Sequence, residues 1–83
     1  MTEQDRVNWC IRWISRMAFK YGGRVVCKDG HILDWGQAIC REQYGEKWAD
    51  EGIPDAPTDR DIERMRKWEY EGKHPDWIEE IIK

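Results

Sequence analysis

The hydrophobic and polar positions of the chain alternate with different periods in successive segments, and the first segment has the period of a helix. Apolar residues recur every three or four positions until Gly22-Gly23 interrupts the pattern. Thr2, with Asp5 three positions later, is the sequence of a capping box, in which each side chain hydrogen-bonds the backbone of the other residue. The pattern therefore predicts a helix over residues 3–21.

A β-hairpin is predicted directly after this helix. Short runs of β-forming residues flank the pair Asp29-Gly30. An Asp-Gly pair suits a tight turn, because such a turn needs positive φ angles at both central residues. We expect strands at residues 24–28 and 31–33.

The hairpin is expected to be apolar on both faces. With a two-residue turn, Cys27 pairs with Ile32. The next pair, Val26 with Leu33, then points to the opposite side of the ribbon. One face therefore packs on a helix, and the other needs cover from more of the chain or from another molecule.

Further helices are expected in the second half of the chain. Asp34 caps the first of them, which ends at Gly45, and a short helical turn follows at residues 46–50. Two prolines make residues 52–57 a connector that cannot continue a helix. A longer helix over residues 58–72 follows the connector.

The C-terminal segment is predicted to be a closing helix. Pro75 suits the first position of a helix, because its fixed φ fits there and its missing N–H is not needed. One stripe at helical spacing is formed by Ile78, Ile81 and Ile82. The element order is then α-β-β-α-α-α, which predicts a single small α+β domain over residues 1–83.

Aromatic residues supply much of the apolar surface that a core needs. The chain contains six Trp and three Tyr, and each buried aromatic side chain removes roughly 150–250 Å² from water. Projection of the first helix at about 100° per residue gives one core-facing arc. The arc consists of Val7, Cys10, Ile11, Ile14, Ala18 and Tyr21, with Trp13 and Met17 at its edge.

The other side of the first helix carries the candidate binding residues. Basic side chains lie there beside aromatic ones, and Arg with Trp is a combination enriched at protein interfaces. The predicted partner-binding residues are Trp9, Arg12, Trp13, Arg16, Phe19 and Lys20. The leading hypothesis is a non-enzymatic protein–protein interaction module, a small inhibitor or adaptor of the accessory type that mobile elements use. The expected partner is another protein, such as a nucleic-acid-handling complex, or a second copy of the chain in a homodimer.

The charge balance excludes some functions and keeps one alternative. Fourteen Lys and Arg against seventeen Asp and Glu give a formal net charge of −3, which excludes a histone-like or polybasic role. Residues 1–28 carry six basic and two acidic side chains, whereas residues 29–83 carry eight basic and fifteen acidic ones. The basic first helix therefore supports an alternative, a nucleic-acid-binding regulatory protein that stacks bases on aromatic rings.

The acidic residues of the second half suggest a third hypothesis. A helix-turn-helix over residues 37–51 would place residues 46–51, with three acids and one base, in the major groove of DNA. Direct reading of DNA by this segment is disfavoured, because the carboxylates would face phosphates. An acidic surface can instead mimic nucleic acid and block a basic groove. The residues of that surface are Asp50, Glu51, Asp55 and Asp59.

No motif for catalysis, metal or cofactor binding is recognised. Candidate ligands lack Cys-x-x-Cys or His-x-x-x-His spacing, and they are Cys10, Cys27, Cys40, His31 and His74. Cys27 and His31 share one face only if the hairpin loop has three residues. A Cys-His pair meets in space rather than in sequence, so a small thiol- or metal-dependent enzyme stays the least favoured alternative.

A cytoplasmic location is expected. The first five residues lack the basic stretch and apolar run of a signal peptide, and no segment approaches the run of about eighteen apolar residues that would span a bilayer. Three widely spaced cysteines cannot all pair within one chain, so free thiols are expected. Neither a membrane partner nor direct binding of nucleic acid is favoured.

Overall fold

The computed structural model describes residues 2–45 and 57–83, which form a mixed α+β arrangement. Its elements are α1 (Glu3–Lys20), β1 (Arg24–Cys27), β2 (Ile32–Leu33), α2 (Trp35–Tyr44), α3 (Asp59–Glu71) and β3 (Ile78–Ile82). The α+β class, the long N-terminal helix, the hairpin and two further helices are therefore confirmed. The helical turn predicted at 46–50, and residues 52–56 of the predicted connector, lie outside the described residues.

All three of these helices begin with a capping box, and at each start the sequence has Thr or Asp followed three positions later by Asp or Gln. In each box the first residue accepts a hydrogen bond from the backbone of the third helical residue, whose side chain in turn accepts one from the backbone of the cap. The pairs are Thr2 with Asp5, Asp34 with Gln37, and Thr58 with Asp61. At the other end, α3 ends at Gly72 in the left-handed conformation, with φ of 67°.

The hairpin loop has three residues, so the predicted register is wrong by one position. The Cys27 N–H donates to the carbonyl of His31 at 2.8 Å, and the Gly30 N–H donates to the carbonyl of Cys27 at 2.9 Å. Gly30 has φ of 95°, as the last residue of a three-residue hairpin loop requires. In this register Val25 pairs with Leu33.

Because of this shift, the two faces of the hairpin have different environments. Val25, Cys27 and Leu33 lie in the core. Val26 is half-buried on the other face, and its partner Ile32 is 60% exposed. The predicted faces, Cys27 with Ile32 and Val26 with Leu33, are therefore wrong. Cys27 and Leu33 share the core face, whereas Val26 and Ile32 share the other.

The predicted closing helix is wrong, because residues 78–82 form an edge strand. Strand β3 pairs antiparallel with β1, giving the sheet order β2-β1-β3. A bulge interrupts the ladder, since Val26 pairs with Glu80 whereas Cys27 pairs with Ile78. The extra residue lets Ile78 and Ile81 both pack on the core although they are three positions apart. A spacing of three, which resembles a helical stripe, is therefore compatible with a bulged strand.

Trp77 fixes the start of β3 against α2, which favours the strand over a continued helix. Its indole N–H donates to Glu42 at 2.8 Å, and the guanidinium of Arg41 lies 5.0 Å from the ring centroid. The carbonyl of Trp77 accepts from the N–H of Lys28 at 2.9 Å. The bond from Lys28 leads the chain along β1, so Pro75 begins only a single turn, with its carbonyl accepting from the Ile78 N–H at 3.2 Å.

The core is built around tryptophans, and the buried face of α1 is turned toward Trp13. Trp13 and Met17, predicted at the edge of the buried arc, are fully buried, whereas Ile11 is 59% exposed. Trp13 packs against Trp35 and Trp68, with ring centroids 6.1 and 6.3 Å apart. The helical projection places the centre of the buried arc of α1 incorrectly. The buried side is shifted toward Trp13 because α3 packs there, on the side of α1 that carries the basic residues.

The polar atoms of these buried rings have hydrogen-bond partners on neighbouring elements. The indole N–H of Trp13 donates to the carbonyl of Met65 at 3.0 Å, and that of Trp35 donates to the carbonyl of Gly22 at 2.7 Å. The first bond joins α1 to α3, and the second joins α2 to the turn after α1. No helix within 2–45 and 57–83 combines the length and apolar character needed to cross a bilayer.

Replacement of Gly22 by alanine should destabilise the fold more than the same change at Gly30. Both glycines have positive φ, 134° and 95°, so both changes should cost about 1–2 kcal/mol of backbone strain. A Cβ at Gly22 would also lie 2.6 Å from the carbonyl oxygen of Ile82, whereas one at Gly30 meets nothing within 4 Å. The total loss for Gly22→Ala should reach about 3 kcal/mol, because β3 must move.

Urea unfolding of the two variants and the wild-type chain measures this difference. Equal losses of the free energy of unfolding for Gly22→Ala and Gly30→Ala would show that the packing of β3 on Gly22 contributes nothing.

Candidate functional site

Helix α3 lies beside α1 and runs in the same direction, which places it against the predicted binding side of α1. The Nε of Arg6 donates to the carbonyl of Pro57 at 2.7 Å, at the start of both helices. Trp13 contacts Met65 in the middle, and Arg16 reaches Glu69 near the end. Much of the basic and aromatic side of α1 is therefore covered by the chain itself.

Glu69 is the main polar anchor between the two helices. Arg16 donates two hydrogen bonds to its carboxylate, at 2.8 and 3.1 Å, and the Glu69 side chain is only 7% exposed. Lys20 and the hydroxyl of Tyr21 both donate to its carbonyl oxygen, at 2.7 and 2.8 Å. The hydrogen bond to Glu69 is the largest cause that raises the pKa of Arg16, and the charge of Glu69 adds to it.

The predicted partner-binding residues of α1 consequently have different environments. Trp13 is fully buried, so its prediction as a contact residue is wrong. Arg16 and Lys20 hold α3, as described above. Arg12 and Phe19 point to solvent, and Phe19 is 91% exposed. For Arg12 and Phe19, contact with a partner stays a prediction.

Trp9 is half-buried and packs beside two arginines from different helices. The guanidinium of Arg16 lies 5.3 Å from its ring centroid, and that of Arg66 lies 5.6 Å from it. Cations placed over an indole ring are attracted by its π-electrons. Trp9 is therefore held in place at the junction of α1 and α3, with part of its ring accessible.

Two residues of α3 complete a surface that the sequence pattern does not indicate. Arg66 contacts Trp9, and Tyr70 follows it by one helical turn, so both project on the same side of α3. Tyr70 is 70% exposed. No sequence signal identifies these two residues, because only the packing of α3 on α1 brings them beside Trp9.

We call this surface the α1–α3 face, formed by Trp9, Arg12 and Phe19 of α1 with Arg66 and Tyr70 of α3. It presents two exposed aromatic rings and a partly covered indole beside two guanidinium groups. Within residues 2–45 and 57–83, no carboxylate lies at ion-pair distance from Arg12 or Arg66. The face is therefore aromatic and carries two guanidinium groups, with Lys67, Glu63 and Glu71 bordering Arg66 and Tyr70.

Only one residue of the alternative acidic surface can be placed. Asp59 is 83% exposed and lies 3.6 Å from the Nη1 of Arg6. The remaining three, Asp50, Glu51 and Asp55, lie outside the described residues. Asp59 is next to the N-terminus of α3, where a carboxylate also interacts favourably with the helix dipole.

The thiols are free and their pKa values are raised. Cys10 and Cys40 line a small apolar cavity of about 180 Å³ between α1 and α2. Burial is the largest cause of the raised pKa of each, and the nearby carboxylates of Asp61 and Asp34 act in the same direction. These effects raise the pKa of Cys40 to about 11. Such thiols are protonated at neutral pH and are weak nucleophiles.

The three-residue loop places Cys27 opposite His31, as a shared face requires, but no third ligand joins them among the described residues. The backbones of Cys27 and His31 are hydrogen-bonded across the three-residue loop, but Cys27 is fully buried and His31 is exposed. His74 packs edge-on against Tyr21 at 4.9 Å, and burial lowers its pKa. Over the described ranges, no three His, Cys, Asp or Glu side chains come together as metal ligands would.

Comparison with protein-family models, with curated protein sequences and with solved structures finds no match for this chain. Its function is therefore inferred from the geometry and chemistry of its own surface.

Loss of Arg16 should destabilise the fold, whereas loss of Arg12 should not. In Arg16→Gln, the buried carboxylate of Glu69 loses its charged partner, and such a group costs about 1–3 kcal/mol when left unpaired. The Arg16 side chain is itself 39% exposed, so solvent screening favours the lower half of that range. Arg12→Gln on the same helix is the matched control and should change stability by less than about 0.5 kcal/mol.

Thermal and urea unfolding of the two variants test this difference. If Arg12→Gln destabilises the protein as much as Arg16→Gln does, the Glu69 pair is not a stabilising contact between α1 and α3.

The native thiols should resist alkylation at pH 8. With a pKa of about 11, only about one in a thousand Cys40 side chains is a thiolate at that pH. We expect iodoacetamide to modify Cys40 at least about 100-fold more slowly in the folded protein than in urea. Peptide mass mapping resolves the three cysteines. Rapid modification of native Cys10 or Cys40 would contradict the raised pKa values and would revive a thiol-dependent activity.

Proposed function

We propose that this chain is a non-enzymatic protein-binding module that docks on an acidic partner protein through the α1–α3 face. The single observation that carries the proposal is the position of Phe19, which is 91% exposed on a helix whose other aromatic side chains, Trp9 and Trp13, are half-buried or buried. Tyr70, 70% exposed on the neighbouring helix, adds a second ring. Exposed aromatic side chains on neighbouring helices are typical of surfaces that bury them on binding.

The chemistry of the face supports recognition of a protein. Aromatic and arginine side chains contribute most of the binding energy at many interfaces. Trp9 is already fixed by two guanidinium groups, so little conformational entropy is lost when a partner covers it. Arg12 and Arg66 lack carboxylate partners among the described residues, and therefore an acidic surface complements the face.

The proposal includes two expectations from the sequence, an inhibitor or adaptor role and a cytoplasmic location. A module of this kind would act as a small inhibitor or adaptor, because what it offers a partner is a binding face. We place it in the cytoplasm. The free state of Cys10, Cys27 and Cys40 supports this location, since a reducing compartment preserves thiols.

Photo-crosslinking in the native cell tests the proposal. A photoreactive phenylalanine at position 19 should give a specific adduct with one acidic protein, and the same group at Gln4, on the exposed side of α1, serves as the matched control. Combined reversal of Arg12→Glu and Arg66→Glu should reduce adduct formation at least about tenfold, as expected for loss of two interface charges. Raised salt, added to a cell lysate before irradiation, should lower the adduct yield as well.

Two outcomes would contradict this function. One is a position-19 adduct whose yield is unchanged by the double charge reversal. The other is an adduct with nucleic acid, together with binding of single-stranded DNA that depends on Phe19 and Tyr70. That result would favour the alternative in which exposed rings stack on bases and arginines neutralise phosphates.

A further inference from the structure

The face of the sheet that points away from the core presents both apolar and charged side chains. We call it the outer sheet face, formed by Arg24, Val26, Ile32, Glu80 and Ile82. Residues paired across neighbouring strands project on the same side, and the pairs Arg24 with Ile82 and Val26 with Glu80 define this face. Ile32 is 60% exposed and Ile82 is 40% exposed.

The edges of the same sheet are poorly suited to pairing with another strand. Strand β2 has only two residues, and β3 carries the bulge together with Glu79 and Glu80. Short strands, bulges and charged side chains are features that protect edges from pairing. A partner of the sheet is therefore expected on its face, where the isoleucines are exposed.

The charges on the outer sheet face make it complementary to itself. Arg24 of β1 and Glu80 of β3 are diagonal neighbours on this face, because Arg24 pairs with Ile82 and Glu80 lies two residues before Ile82. Both are exposed, and neither makes an ion pair with any described residue. With two such faces stacked, a twofold axis parallel to the sheets and between them would bring Arg24 of one copy opposite Glu80 of the other, twice, with the isoleucines between the two pairs.

We propose that the outer sheet face binds a second copy of this chain in a twofold homodimer. This contact uses none of the residues of the α1–α3 face, so it is independent of the proposed function. Three short strands provide less contact area than a standard interface of about 800 Å² per partner, so the dimer dissociates easily. We expect its dissociation constant between about 10 µM and 1 mM.

Charge exchange on the full-length chain tests the arrangement. Sedimentation equilibrium should show a monomer–dimer equilibrium for the wild-type chain. Arg24→Glu alone places two acids opposite each other at both contacts, and Glu80→Arg alone places two bases there. Each single variant should raise the dissociation constant at least about tenfold, and the double exchange should restore it to near the wild-type value.

Two further variants distinguish this contact from self-association through the α1–α3 face. Ile32→Lys introduces a charge into the apolar part of the outer sheet face and should abolish the dimer, while Phe19→Ser on the α1–α3 face should leave it unchanged. Thermal unfolding confirms that each variant is folded, and all four changed positions are exposed. A wild-type mass that stays monomeric up to about 1 mM overturns the proposal. The proposal is also overturned if the variant with both exchanges dimerises as weakly as the single variants do.

Discussion

The packing of Trp13, a residue of α1, against α3 determines most of the remaining structure. Its side chain is fully buried, it contacts the rings of Trp35 and Trp68, and its N–H is bound to the carbonyl of Met65. Truncation of a buried tryptophan typically costs about 3–5 kcal/mol, which is a large fraction of the total stability of a small domain. This contact joins α1 to α3 in one register, and α2 contributes Trp35 to the same cluster.

Once Trp13 fixes that register, the binding surface follows from it. Arg16 must lie beside Glu69, because a carboxylate buried at this depth needs a charged donor. Arg12, one turn earlier on α1, has no such partner among the described residues and stays available. Two arginines that are equivalent in the sequence therefore differ in role, since one stabilises the fold and the other is free to contact a partner. The same register brings Arg66 next to Trp9.

The sequence predicts local features well and tertiary pairings poorly. The capping boxes and the hairpin turn were predictable because each depends on residues within a few positions of one another. The loop length was not, since Asp29-Gly30 also fits a three-residue loop. The C-terminal strand was missed because a bulge gives Ile78 and Ile81 the spacing of a helix while both face inward. Arg66 and Tyr70 could not be assigned before the partner of α1 was known.

In a chain of 83 residues, a second aromatic side on an amphipathic helix indicates further packing within the domain before it indicates a partner. A small domain buries a smaller fraction of its surface than a large one, so it must use most of its large side chains internally. A second aromatic side of such a helix therefore packs first against another element, as Trp9 and Trp13 do here. The residues that remain for a partner are those left exposed after this packing. Phe19, which contributes little to the core, is for that reason a stronger indication of binding than the tryptophans.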